Sequence, residues 1–221
     1  MKIINYPQNL ENHIQTFRAF SVISVFLYHT NLEIFSYGYL GVDIFFLISG
    51  YVISKRIFED YKRNNKINLY IFYLKRIKRI IPNLFFIVTL IYIFYLIFGP
   101  PDLSLFKETI FALMGLSNLY YLNYSRDYFN NVFEDPLGHT WSLGVEEQFY
   151  LLWPIALFLL FHIVNRIKYQ KLNTQFQLTI VTLLFALISF ILCYYLRLHV
   201  TLTFYTPITR AFELLLGAAL A

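Results

Sequence analysis

The chain has 221 residues, of which 58% are hydrophobic, 20% aromatic and 14% charged. A soluble domain carries about 25% charged residues, so the composition excludes an ordinary water-soluble globule and reads as an all-α, polytopic membrane protein. Net charge is +5 and Cys193 is the single cysteine, which excludes a disulfide framework and a CxxC metal or redox motif.

In chain order, residues 1–15 form a polar lead without the small-residue cleavage site of a signal peptide. A first span is expected at 17–35 and a second at 38–57, each near the roughly 20 residues needed to cross a bilayer. Nine of the 18 Lys and Arg fall between Lys55 and Arg79, which places that loop and the N-terminus in the cytoplasm by the positive-inside rule. The end of the loop, 69–79, reads as a helix lying in the interface. Pro82 follows, where a proline starts or kinks a helix. A third span, 80–99, is closed by Pro100 and Pro101.

Residues 108–124 are apolar but carry Ser117, Asn118 and Asn123, and read as an ambiguous membrane segment that either crosses or dips in and returns, the second being favoured. Residues 125–147 hold five acids and one arginine. The next span, 148–165, is followed by Arg166, Lys168 and Lys171, expected inside, so 125–139 is expected outside. Residues 174–196 cross again, and 207–221 begin a further apolar helix. The fold expected is a helical bundle of about six spans, plus the start of another and the one short segment. An end inside an apolar helix leads to the expectation that 1–221 is a single but partial domain.

Several ionisable residues sit inside these apolar runs. Arg18 and His29 are eleven residues apart, about three turns, so they share a helix face about 16 Å apart. Charged groups on an apolar span face a bundle interior or a wet cavity. Asp43 lies in the second run, beside Gly38, Gly41 and Gly50, whose small size lets a neighbouring helix or a ligand come close.

Four patterns then line up. They are Arg18-x10-His29; the run Gly41–Gly50, GVDIFFLISG; Phe72-x3-Arg76-x2-Arg79-x2-Pro82; and His139–Tyr150, HTWSLGVEEQFY, with Pro154. Arg210-x2-Glu213 with Gly217 is a fifth. As an ordered set, over residues 16–221, the chain resembles the acyltransferase 3 family of multi-span membrane proteins that O-acylate cell-surface sugars. The resemblance implies a partial membrane acyltransferase domain, lacking the last spans, in a cell inner (plasma) membrane. It would move an acyl group, acetyl by expectation, from acyl-CoA in the cytoplasm to a hydroxyl of an exported glycan, a polysaccharide or lipopolysaccharide of the envelope. Gln15 stands where members often carry an acid, three positions before the arginine.

For that chemistry His29 is the candidate general base, since neutral imidazole can take a proton from an attacking hydroxyl. Its ordinary alternative is a histidine that bonds a neighbouring helix. Arg18 is placed to stabilise the oxyanion or hold phosphates. Asp43 is a candidate to orient His29 or neutralise Arg18, and is alternatively a rim aspartate. Glu146 and Glu147 are catalytic candidates pointing about 100° apart on a helix, or acids at a water-facing helix start. Arg76 and Arg79, at i and i+3, are the candidate donor phosphate clamp, or a plain topology anchor. His139, Trp141 and Ser142 are expected to shape the acceptor pocket, Trp141 stacking on a sugar or, alternatively, anchoring at the interface. Ser49 and Cys193 read as packing residues. No metal is expected, because His29, Asp43, His139, Glu146 and Glu147 lack ligand spacing on any one element, and nucleic acid is disfavoured as a partner. The rival classes are a proton- or ion-coupled transporter and an inactive truncated fragment.

Overall fold

The computed structural model describes residues 8–30, 32–64, 67–99, 103–124, 136–167 and 174–221. Among these residues it is helical throughout: α1 (Gln8–Tyr28), α2 (Gly41–Asn64), α3 (Leu69–Phe98), α4 (Leu103–Leu113), α5 (Ser117–Asn123), α6 (Thr140–Ile167), α7 (Thr174–Tyr195), α8 (Val200–Tyr205) and α9 (Pro207–Ala219). Two single 3₁₀ turns, Glu33–Phe35 and Gly38–Leu40, join α1 to α2.

Among the described residues four helical stretches are long and apolar enough to cross a membrane: Glu33–Asn64, Leu69–Phe98, Thr140–Val164 and Thr174–Tyr195. This is fewer than the six expected. In α1 polar residues occupy the first turns, and α9 has only 13 residues, about 20 Å at 1.5 Å each.

The helix boundaries correct the sequence reading in several places. The expected interfacial helix 69–79 and span 80–99 are one continuous 30-residue helix with Pro82 inside it. Asn68 starts this helix, its side chain accepting from the Ile71 amide at 3.1 Å, a cap that satisfies one of the orphan donors. The basic loop is mostly helix, since α2 runs to Asn64 and α3 begins at Leu69. The segment 108–124 is two helices of 11 and 7 residues, α4 and α5, each too short to cross alone. They are divided at Gly115, whose φ of 68° is the left-handed conformation glycine adopts without a Cβ penalty. Helix α6 starts at Thr140, eight residues before the expected span. Residues 1–7, Pro100, Pro101, residues 125–135, Lys168, Lys171 and the Arg166 side chain lie outside the described set.

Close approach of α2 and α9 holds the centre. A Cβ on Gly50 would collide with the Leu214 carbonyl, and one on Gly217 with the Leu47 carbonyl. The two glycines are reciprocal, each admitting the other helix's backbone, the usual way small residues replace hydrophobic driving force within lipid. Gly38 and Gly41 do the same against the Ser24 and Ser21 carbonyls of α1. Around this pair lie an aromatic cluster (Phe46, Tyr120, Tyr121, Trp141, Phe204, Tyr205) and an aliphatic one reaching α6 and α7 (Ile53, Ile57, Trp153, Leu157, Ala186, Leu215). A third cluster packs α4 onto α3 through Leu84, Val88, Leu105 and Ala112. The outward faces of α3 and α7 expose Phe85, Phe86, Leu183 and Phe185, as suits a hydrocarbon solvent.

Candidate active site

Three cavities run between α1, α2, α3 and α6. At the basic end, a narrow crevice of about 40 Å³ is lined by Arg18, Arg56, Asp60, Lys75, Arg76 and Arg79. Five cations face one carboxylate. The Arg76 guanidinium lies flat over the Tyr150 ring, 3.1 Å from its centroid, and the Arg18 guanidinium lies 5.7 Å from the Phe45 centroid. Both arginines bury their Nε atoms without a hydrogen-bond partner. A buried guanidinium N–H without an acceptor is costly, so the crevice is a place that an anion would complete. Lys75 and Arg79 are exposed at its mouth.

At the other end of α1, a cavity of about 440 Å³ is lined by Ser21, Val22, Val25, Phe26, His29, Val42, Phe45, His139 and Ser142. His29 Nδ1 bonds the Val25 carbonyl at 2.7 Å. A carbonyl only accepts, so Nδ1 carries the proton and a neutral ring holds its lone pair on Nε2. His139 is close enough to interact electrostatically with His29. Arg18, midway along α1, and His29, in the turn just after it, thus serve two different cavities.

Glu146 is buried inside α6, 4% exposed, and accepts from the Tyr150 hydroxyl. Its position is a helix interior, which replaces the water-facing helix start weighed for it. Glu147 turns toward the α4–α5 break, where its carboxylate occupies the space a Cβ on Gly115 would need, and its Oε1 is buried without a hydrogen-bond partner.

Asp43 is not placed on His29 or Arg18. It meets Arg210 of α9, Nη1 to Oδ1 3.2 Å, and Arg210 also binds Glu213 at 2.7 Å. Arg210 lies over the Phe204 and Trp141 rings at 4.8 and 5.8 Å. Trp141 itself is 2% exposed in the aromatic cluster and does not line the cavity, unlike its neighbours His139 and Ser142. Gln148 ties α5 to α6 through Asn118 Oδ1 at 2.8 Å and the Gly115 carbonyl at 3.2 Å. Among the described residues no group of three His, Cys, Asp or Glu could hold a metal.

Sequence reasoning missed Arg56 and Asp60 in the crevice and gave Tyr150 no role. A signal existed for the first pair: residues four apart on a helix share a face. The Asp43–Arg210 pair, 167 residues apart, left none.

Comparison with known proteins gives the family. The chain is 38% identical over 205 residues to the O-acetyltransferase OatA of Staphylococcus aureus, an alignment covering 92% of this chain and 33% of the relative. It is 33% identical over 218 residues to the peptidoglycan O-acetyltransferase OatA of Listeria monocytogenes, covering 98% of this chain and 34% of the relative. The chain therefore spans about a third of the length of these relatives. No solved structure matches. The family model for the acyltransferase domain matches residues 12–221, nearly the whole chain, and the protein belongs to that acyltransferase family.

Proposed function

We propose that this chain is the membrane-embedded part of an O-acetyltransferase that takes an acetyl group from acetyl-CoA on the cytoplasmic side and passes it to a hydroxyl of an exported glycan. The acceptor we favour is peptidoglycan, named for the Listeria relative, rather than lipopolysaccharide. The observation that carries the reading is the basic crevice, with two buried and unsatisfied guanidinium Nε atoms, set about 16 Å along α1 from His29. Pyrophosphate and 3′-phosphate oxygens are the acceptors those arginine forks lack. A proton- or ion-coupled carrier has no need of such a crevice. Within this reading α1 and α9 belong to the membrane bundle with the four long helices, and the Lys/Arg-rich crevice faces the cytoplasm.

In the reaction the acceptor oxygen attacks the thioester carbon, the C–O bond forms, and the C–S bond breaks. His29 Nε2 receives the hydroxyl proton, and the departing thiolate takes up a proton to leave as CoA thiol. His139 and Ser142, on the wall facing His29, are the residues placed to touch the acceptor. Glu146, through Tyr150, holds the wall on which Arg76 rests. Asp43, Arg210 and Glu213 are proposed to fix α2 to α9 around the cavity, and Trp141 to support them from the core.

The test is acetyl transfer from labelled acetyl-CoA to peptidoglycan fragments by the protein in lipid nanodiscs. His29→Ala is expected to lose on the order of 10²- to 10⁴-fold in transfer while acetyl-CoA binding persists. Full transfer by the variant would remove His29 from the chemistry. No transfer by the parent with donor bound would overturn the assignment.

A further inference from the structure

We propose that the groove between α3 and α6 seats the pantetheine arm of the acyl-CoA donor, an inference that rests on the donor assignment above. The basic crevice and the His29 cavity share no wall residue. Phe45, under the Arg18 guanidinium at 5.7 Å, stands between them and lines only the second. A third cavity of about 360 Å³ lies alongside, lined by Arg79, Ile80, Asn83, Leu84, Ile87, Val88, His139, Thr140 and Leu143. It shares Arg79 with the crevice and His139 with the His29 cavity. Arg79 and His139 thus mark where the groove adjoins the crevice and the His29 cavity, whose own linings have no residue in common.

The chemistry of the groove matches a pantetheine arm. From Arg79 to Ile87 is eight residues, about 12 Å of helix, so a ligand with its phosphates at Arg79 must be long and thin to reach His139. Apolar side chains at 80, 84, 87 and 88 repeat at helical spacing and make one face. Asn83 sits among them, its Nδ2 donating to the Arg79 carbonyl at 3.4 Å, so its carboxamide oxygen is the kind of acceptor an amide N–H of the arm needs. Methylenes interrupted by two amides suit such a wall; a bare lipid chain would make no use of the Asn83 carboxamide oxygen.

The experiment measures alkylation of Ile87→Cys in a Cys193→Ser background, in lipid nanodiscs that leave both faces accessible. Acetyl-CoA at about ten times its Kd is expected to slow labelling about tenfold by simple occupancy. Adenosine 3′,5′-bisphosphate, which carries phosphates but no arm, is expected to leave the rate unchanged. A thiol at Ile97, outside the groove on the same helix, is expected to react at one rate throughout. If acetyl-CoA binds but Ile87→Cys stays equally reactive, the arm runs elsewhere and the inference fails while the donor assignment stands. Slow labelling that no nucleotide changes would mean a resident lipid and would overturn it too. If acetyl-CoA does not bind the parent, the donor assignment fails and the groove assignment with it.

Discussion

Arginines show most directly how this chain divides its labour. Arg210 is fully answered, by Asp43 and Glu213 and by two aromatic rings, and such a buried group is a fastening. Arg18 and Arg76 have aromatic faces beneath them but buried Nε atoms with no acceptor, and on the proposed reading such a group takes the donor's phosphates. The distinction yields a prediction. Arg76→Lys keeps the charge but loses the fork and the flat stack on Tyr150, and is expected to weaken acetyl-CoA binding roughly 5- to 30-fold, the value of about 1–2 kcal/mol for a desolvated cation–π pair. Arg79→Lys, at an exposed position, is expected to cost less. Equilibrium binding to the purified protein checks both, and parent-like affinity in Arg76→Lys would move the donor site away from the crevice. At this scale the sequence already held the spacing of Arg18 and His29 and of Arg76 and Arg79, because helix periodicity relates residues on one element. It could not say that Asp43 belongs to Arg210, nor that Trp141 turns into the core, because those follow from which helices become neighbours.

At the scale of elements, the apolar runs were legible and their ends less so. The span within α6 was expected to begin at Gln148, with Glu146 and Glu147 weighed as acids at a water-facing helix start. Burial of Glu146 against the Tyr150 hydroxyl removes the need for water, so the helix begins earlier. Pro82 does not start a helix but lies inside α3, since a membrane helix can lose one backbone bond and have it answered by its surroundings. The glycines of α2 were recognised as sites of close approach, and α9 proves to be one of the partners. Gly50→Ala would press a methyl into the Leu214 carbonyl, a backbone atom that cannot swing aside. It is expected to destabilise the fold by about 1–3 kcal/mol, the usual cost of overpacking. Gly217→Ala should cost a similar amount, and the double variant less than the sum, because one separation of α2 from α9 relieves both clashes. Thermal unfolding in detergent measures this; additive losses would show that the glycines act independently.

For the whole molecule, the arrangement makes sense only with a direction. The basic crevice takes its α1 wall from Arg18, midway along that helix, and the His29 cavity lies at the C-terminal end, so on the proposed reading an acyl group entering at the arginines travels along α1 before it meets an acceptor. Helix α2 fixes what this requires of the topology. It has 24 residues, about 36 Å at 1.5 Å each, more than the roughly 30 Å hydrocarbon core. It is therefore long enough for its two ends to lie on opposite sides, as the proposed function requires. Its C-terminal turn carries Lys62 and Arg63, while the turns before its N-terminus carry Glu33 and no Lys or Arg. On the proposed reading the charge bias puts Asn64 in the cytoplasm and the exposed Tyr37 outside. Single cysteines at these two positions, in a Cys193→Ser background and in right-side-out vesicles, are expected to separate cleanly under a membrane-impermeant maleimide. The Tyr37→Cys protein labels at once, and the Asn64→Cys protein labels only after the vesicles are opened. The reverse pattern would put the arginine crevice on the outer face, where no acyl-CoA is supplied, and would end the donor assignment together with the groove proposed for its arm.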